Sequence, residues 1–183
     1  INDEIIKNAE IILSKNLSLM LNKKIGREQI RKYGQVNFVI GNNNTEINEE
    51  GYLIKINNNE ITIEAKSTKG ILYGALDLLQ KIHRREDIKN ISIAESPKVK
   101  LRILNHWDNI DRTVERGYAG FSIWNWHELP ENIEQRYEDY ALANASIGIN
   151  GTVLTNVNAN AIVLRDDYLD KAAALANVFR KYG

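Results

Sequence analysis

The stretch 101-LRILNHWDNIDRTVERGYAGFSIW-124 decides the fold. Its apolar start, Leu101, Ile103 and Leu104, reads as a strand with little polar alternation. It empties into His106, Trp107, Asp108 and Asn109, then into charges, two glycines and Trp124. Continuous apolar strands are what a parallel sheet requires, because crossover helices bury both of its faces. The segments that follow repeat the grammar. "ENIEQRYEDYALANASIG" (131–148) predicts a helix, "GTVLTNV" (151–157) a second apolar strand, and "DDYLDKAAALANVFRKYG" (166–183) a second helix. In that last helix Tyr168, Ala172, Leu175 and Phe179 keep a 3.6-residue period, Asp166 or Asp167 suits the N-cap, and Gly183 suits the C′ position. Two parallel strands alone leave open edges and unpaired apolar faces. The expectation is therefore two βα units that form part of something longer.

Before Pro97 the pattern differs. Ile5, Ile6, Ala9, Ile12, Leu13, Leu17 and Met20 recur at spacings of three and four and predict an amphipathic helix. "VNFVIG" (36–41) reads as a strand, and "YLIKI" and "ITIEA" flank the turn-forming "NNNE" as a hairpin over 52–65. "STKGILYGALDLLQKIH" (67–83) predicts a helix capped by Ser67 or Thr68, with Ile71, Leu72, Ala75, Leu78, Leu79 and Ile82 on one side. Gly70 and Gly74 are expected to let that helix lie close to the sheet. "ISIAESP" (91–97) ends this part with a short strand. Residues 1–96 thus read as an α+β domain, helices on one face of a mostly antiparallel sheet, and 97–183 as the βα part.

Composition narrows the function. The 183 residues are 43% hydrophobic and 26% charged, with 24 basic residues balancing 24 acidic ones, so nothing points to nucleic acid or an anionic membrane as partner. The absence of cysteine excludes disulfides, zinc–thiolate sites and thiol catalysis within this sequence. The amino end mixes charges among its apolar residues and reads neither as a signal peptide nor as a membrane span. His127-Glu128 lacks the second histidine of a zinc-protease helix, and Pro130 interrupts the segment. His83 and His106 stand too far from other ligands to argue a metal site, and no phosphate-binding glycine loop follows any strand. No metal or cofactor is expected.

Parallel βα architectures place functional groups where strands hand over to the next loop. Two such places exist: "NHWDN" (105–109) and "TNVNAN" (155–160). A sugar asks for a flat apolar surface against its C–H groups and for fixed amides or carboxylates against its hydroxyls. Trp107 with Asp108, Asn109, Asn156 and Asn158 offers both. The same residues also fit a plainer reading, in which Asn and Asp form Asx turns and Trp107 is core. "SIWNWHELP" (122–130) likewise reads either as a groove wall or as packed tryptophans.

"RILNHWDNIDRTVERGYAGFSIWNW", "RYEDYALANASIGINGTVLTNVNANA" and "YLDKAAALANVFRKYG" together resemble the family 67 α-glucuronidases over about residues 97–183. "GYLIKINNNEITIEAKSTKGILYGALDLLQ" more weakly resembles the small α+β domain that precedes the barrel in these enzymes and in β-hexosaminidases. The resemblance implies a (β/α)8 barrel after the amino-terminal domain, begun by "LRILN" and "TVLTN" and incomplete in this chain. It implies inverting hydrolysis of the α-1,2 bond between 4-O-methyl-glucuronic acid and the terminal non-reducing xylose of xylooligosaccharides. Inversion needs an acid and a base on opposite faces of the sugar, and in the family these lie on later strands, so no catalytic residue is expected here. Trp107 and Val157 match the family's apolar sheath around the 4-O-methyl group. His106, Asp108, Asn156 and Asn158 stand beside them by position, and Glu115 and Arg116 are candidate pocket contacts. Family members dimerise through a carboxy-terminal helical region outside this sequence. Two other expectations remain beside the enzyme fragment: a non-catalytic carbohydrate-binding module, and a structural domain that presents its apolar strand edges to a partner or a second copy.

Overall fold

The structure is a computed structural model that describes residues 3–25, 35–41, 45–58, 60–115 and 120–183. The chain divides into two compact units, one of residues 1–100 with Gly183 and one of residues 101–182.

In the first unit, α1 (Glu4–Leu21) starts where Asp3 Oδ1 accepts from the Ile5 and Ile6 amides at 2.8 and 3.2 Å, which satisfies two of the helix's orphan donors. It stops at Asn22, in the left-handed region at φ 48°. Its apolar stripe buries Ile6, Ala9 and Leu13, and the helix packs along α2 (Thr68–His83). Four strands follow: β1 (Gln35–Ile40), β2 (Tyr52–Asn57), β3 (Glu60–Ala65) and β4 (Ser92–Glu95), in the spatial order β1-β3-β2-β4. The hairpin is present, with Ile54 opposite Ile63, and β4 pairs antiparallel on the other side of β2. β1 instead pairs parallel to β3, Phe38 beside Ile63, so the sheet is mixed and mostly antiparallel. This first part is an α+β fold. Of the hairpin turn, Asn58 has φ 52°, while Asn59 lies outside the described residues.

The Ser67 hydroxyl caps α2 through the Gly70 amide. Besides the expected Ile71, Leu72, Ala75, Leu78 and Leu79, the helix buries Tyr73 and Leu76, and it leaves Ile82 only half-buried. The reason is geometric: α2 is sandwiched, with the sheet against one side and α1 against another. A Cβ on Gly70 would overlap the Gly51 carbonyl and stand 2.7 Å from Ala65 Cβ, and one on Gly74 would stand 2.7 Å from Ile63 Cγ2. Both glycines therefore permit the close approach of helix to sheet.

The second unit holds β5 (Ile103–Asn105), α3 (Gln135–Ser146), β6 (Gly151–Val153), a 3-10 turn (Ala161–Leu164) and α4 (Asp166–Arg180). β5 and β6 pair in parallel, Leu104 beside Thr152. Their ladder is shorter than the apolar runs; just before it the Arg102 amide donates to Asn150 Oδ1 at 2.9 Å and the Arg102 carbonyl accepts from the Asn150 amide at 3.0 Å. Ile103, Leu104 and Val153 remain substantially exposed. The core lies off the strands, where Trp124, Trp126, Leu129, Tyr137, Leu175 and Val178 are buried together with Tyr168 and Phe179 against them. "SIWNWHELP" thus packs its two tryptophans inward. The expected cap of α4 is corrected: Arg165 occupies the N-cap and makes no side-chain cap bond, while Asp166 and Asp167 stand in the first turn. There their charge opposes the positive end of the helix dipole without supplying a capping acceptor. Among the described residues no helix is long and apolar enough to cross a membrane.

Candidate functional site

Beyond β5 the chain doubles back on itself. The Glu115 amide donates to the Trp107 carbonyl at 2.7 Å, the Asn109 amide to the Thr113 carbonyl at 2.8 Å, and Asp108 bridges Val114. The reversal uses Arg112 at φ 72° and the Asp111 carboxylate, which accepts from Thr113 N at 3.0 Å and Thr113 Oγ1 at 2.7 Å. Those two bonds, the hydroxyl's first, hold the Asp111 carboxyl below its ordinary range.

The loop after β6 lies against this one, and Asn156 joins the two. Only 6% exposed, it donates from its backbone amide to the Asp108 carbonyl at 3.1 Å and from Nδ2 to Asn109 Oδ1 at 2.5 Å. Its Nδ2 also stands 3.4 Å from the Trp107 and Asp108 carbonyls. Its Oδ1 accepts from the Asn158 amide at 2.6 Å, which is an Asx turn. The side chain is committed to the protein on both ends.

The strand-end residues then separate by exposure. Trp107 is 51% exposed and Val157 is 92% exposed, so two apolar surfaces stand free on adjacent loops, and Trp107 is not core. Asn158 is exposed, and Glu115 is half-buried. Arg116 lies outside the described residues. Asp108 is only 4% exposed, and its Oδ2 has no hydrogen-bond partner among the described residues. That oxygen stands 3.6 Å from His106 Nδ1. On the other side of the ring, His106 Nε2 meets Tyr140 Oη at 2.7 Å, and Tyr140 Oη meets Thr152 Oγ1 at 3.4 Å. Trp124 edges against both rings at 5.2 Å. Tyr140 escapes a reading of the sequence because, inside "QRYEDYALANAS", it is one more aromatic on a helix; only the pairing of α3 with the strand tips reveals its partner.

Among the described residues no group of three or more His, Asp or Glu side chains is placed to hold a metal ion. The arrangement offers the exposed apolar surfaces of Trp107 and Val157 on two loops that the buried Asn156 ties together. Such surfaces suit a ligand with a C–H or methyl face.

The profile described as the glycosyl hydrolase family 67 middle domain matches residues 81–183, and that of glycosyl hydrolase family 20, domain 2, matches residues 7–95. The chain is 37% identical over 138 residues, 75% of its length, to a protein named probable alpha-glucuronidase A from Aspergillus terreus. It is 33% identical over 143 residues to alpha-glucuronidase A from Emericella nidulans. It spans only 16% and 17% of the lengths of these two relatives. Among solved structures it superposes on a family 138 glycoside hydrolase targeting pectin rhamnogalacturonan II, with TM-score 0.66 and 11% identity, over 98% of this chain and 28% of that one. It also superposes on a family 20 exo-β-N-acetylglucosaminidase from Vibrio harveyi, with TM-score 0.52 and 18% identity, over 82% of this chain and 20% of that one. At these identities the superpositions speak for the fold alone.

Proposed function

Since the chain belongs to glycosyl hydrolase family 67, we propose that it is part of an α-glucuronidase. The reaction is inverting hydrolysis of the α-1,2 bond between 4-O-methyl-glucuronic acid and the terminal non-reducing xylose of xylooligosaccharides. β5 and β6 serve as the first two strands of a (β/α)8 barrel, and residues 97–183 belong to that barrel while 1–96 form the preceding α+β domain. The parallel pairing of Leu104 with Thr152 supports this, and so does the placement of Trp107 and Val157 just past the two strands.

The observation that carries the reading is the exposure of Trp107 on the β5 tip within a segment 37% identical to a named α-glucuronidase. In this role Trp107 and Val157 sheath the sugar's methyl group. Asn158 and Glu115 reach its hydroxyls, with Arg116 as a further contact. Asn156, Asp108 and His106 hold the two tips in register. None of these residues acts as the acid or base. An inverting pair stands on opposite faces of the sugar, and the resemblance to family 67 implies that both of its members lie on later barrel strands.

The test is a product assay with anomer detection by NMR. The protein expressed from its complete reading frame is expected to release the β-anomer of 4-O-methyl-glucuronic acid from aldouronic acids. Trp107→Ala is expected to raise KM about tenfold, the equivalent of 1.4 kcal/mol of lost contact, with little change in kcat. The 183-residue chain is expected to release none. Release by the 183-residue chain contradicts the assignment of its residues to binding alone, and a complete protein inert on aldouronic acids contradicts the activity.

A further inference from the structure

Four side chains from three elements stand in a line: Thr152 on β6, Tyr140 on α3, and His106 and Asp108 at the tip of β5. For a neutral His106 beside an ionised Asp108, the protons along it have one consistent placement. His106 Nδ1 faces Asp108 Oδ2 at 3.6 Å, and that oxygen is buried with no hydrogen-bond partner among the described residues. If the neutral imidazole carried its proton on Nε2, a nitrogen lone pair would face a lone pair of the buried Asp108 carboxylate. A buried acceptor left in that way is costly. With the proton on Nδ1 the same pair attracts. Nε2 is then an acceptor, so the Tyr140 hydroxyl, 2.7 Å away, spends its one proton there. The Tyr140 oxygen is left to accept from Thr152 Oγ1 at 3.4 Å.

The rings are also held in place. His106 meets Trp124 edge-on at 5.2 Å and Tyr140 at 5.4 Å, and Phe179 closes on Trp124 at 5.8 Å. We propose that Tyr140 is a positioning residue that acts through His106. A one-way chain of hydrogen bonds, Thr152 to Tyr140 to His106, supplies the donor that the Nε2 acceptor needs, holds the ring with its Nδ1 proton toward Asp108, and so fixes the β5 tip that carries Trp107. The role in sugar binding rests on the α-glucuronidase reading above; the tautomer does not.

Long-range proton–nitrogen NMR of the labelled 183-residue chain tests it, at a pH on the alkaline side of the histidine range. The His106 signals are assigned with His83→Gln and His127→Gln, which replace the other two histidines. The expected proton is on Nδ1. Tyr140→Phe is expected to keep the proton on Nδ1, where Asp108 still faces it, but to shift the Nε2 nitrogen resonance to that of an acceptor without a hydrogen bond, and to weaken aldouronic acid binding several-fold, read from tryptophan fluorescence, while circular dichroism stays unchanged. Thr152→Val, which leaves the Tyr140 proton in place, is expected to retain the Nε2 resonance. A proton on Nε2 in the unsubstituted chain overturns the proposal, and so does a Tyr140→Phe chain with the original Nε2 resonance and affinity. If Tyr140→Phe fails to fold, the tautomer of the unsubstituted chain decides. A chain with the Nδ1 proton that binds no aldouronic acid refutes the sugar-site reading, and Tyr140's role in binding falls with it.

Discussion

Trp107 and Asn156 are linked by a side-chain contact to backbone, Asn156 Nδ2 standing 3.4 Å from the Trp107 carbonyl, yet their side chains do opposite work. Trp107 holds half its surface in solvent and makes little of the fold, whereas Asn156 is buried and ties two loops. Replacing Asn156 by Ala strands Asn109 Oδ1 and the Asn158 amide, which is expected to cost roughly 1–3 kcal/mol. Trp107→Ala is expected to stay within about 1 kcal/mol of the parent chain, in line with changes away from buried features. Urea unfolding of the two variants checks the contrast, and equal losses would contradict the division of labour. The strand-end cluster was legible as a cluster, because parallel βα architectures bring together the loops that follow neighbouring strands. Its inner assignment was not. The partners of Asn156 are Asp108 and Asn109, on a loop remote in sequence, and no local pattern records such a pairing.

Elements show the same division between local and long-range information. The helical periods of α1 and α2 could be read directly, and so could Gly70 and Gly74 as points of close approach. Gly70→Ala pits the gain in helix propensity, about 1 kcal/mol, against overlap with the Gly51 carbonyl and with Ala65 Cβ at 2.7 Å. Neither neighbour is a flexible side-chain end, so overlap wins, and a net loss of roughly 1–3 kcal/mol is expected in thermal or urea unfolding. The parallel pairing of β1 with β3 was not legible, because register across a sheet is set by long-range contacts. The α4 cap was misread for a simpler reason. Two aspartates in succession suit both an N-cap and a first turn, and Arg165 enters the helix in extended conformation one residue earlier.

At the junction of β2 and α2, burial first and Asp77 second raise the Tyr52 hydroxyl's pKa above its ordinary value. The sign follows from linkage. The unfolded tyrosine loses its proton near pH 10 while the folded one keeps it, so the contribution is complete below that pH and is lost as pH rises through and beyond it. Alkaline unfolding curves of Tyr52→Phe, normalised to neutral pH, are therefore expected to fall less steeply than those of the parent chain. Parallel curves would contradict the assignment.

For the whole molecule, two profiles from two glycoside hydrolase families match in succession, over residues 7–95 and 81–183, and overlap at 81–95. The α+β character of the first part and the parallel β5–β6 pair of the second were legible because both rest on patterning, alternation in one case and continuous apolar strands in the other. The proposed chemistry rests on family membership, since a strand tip with one tryptophan and several amides suits many ligands. What the fold adds is the separation of two exposed apolar side chains, Trp107 and Val157, from the buried Asn156 and Asp108. That separation is the central claim, and saturation-transfer NMR of the 183-residue chain with a 4-O-methylated aldouronic acid tests it most directly. The account predicts the strongest transfer at the methyl group, abolished by Trp107→Ala; transfer spread evenly over the xylose protons, or unchanged by that substitution, would contradict it.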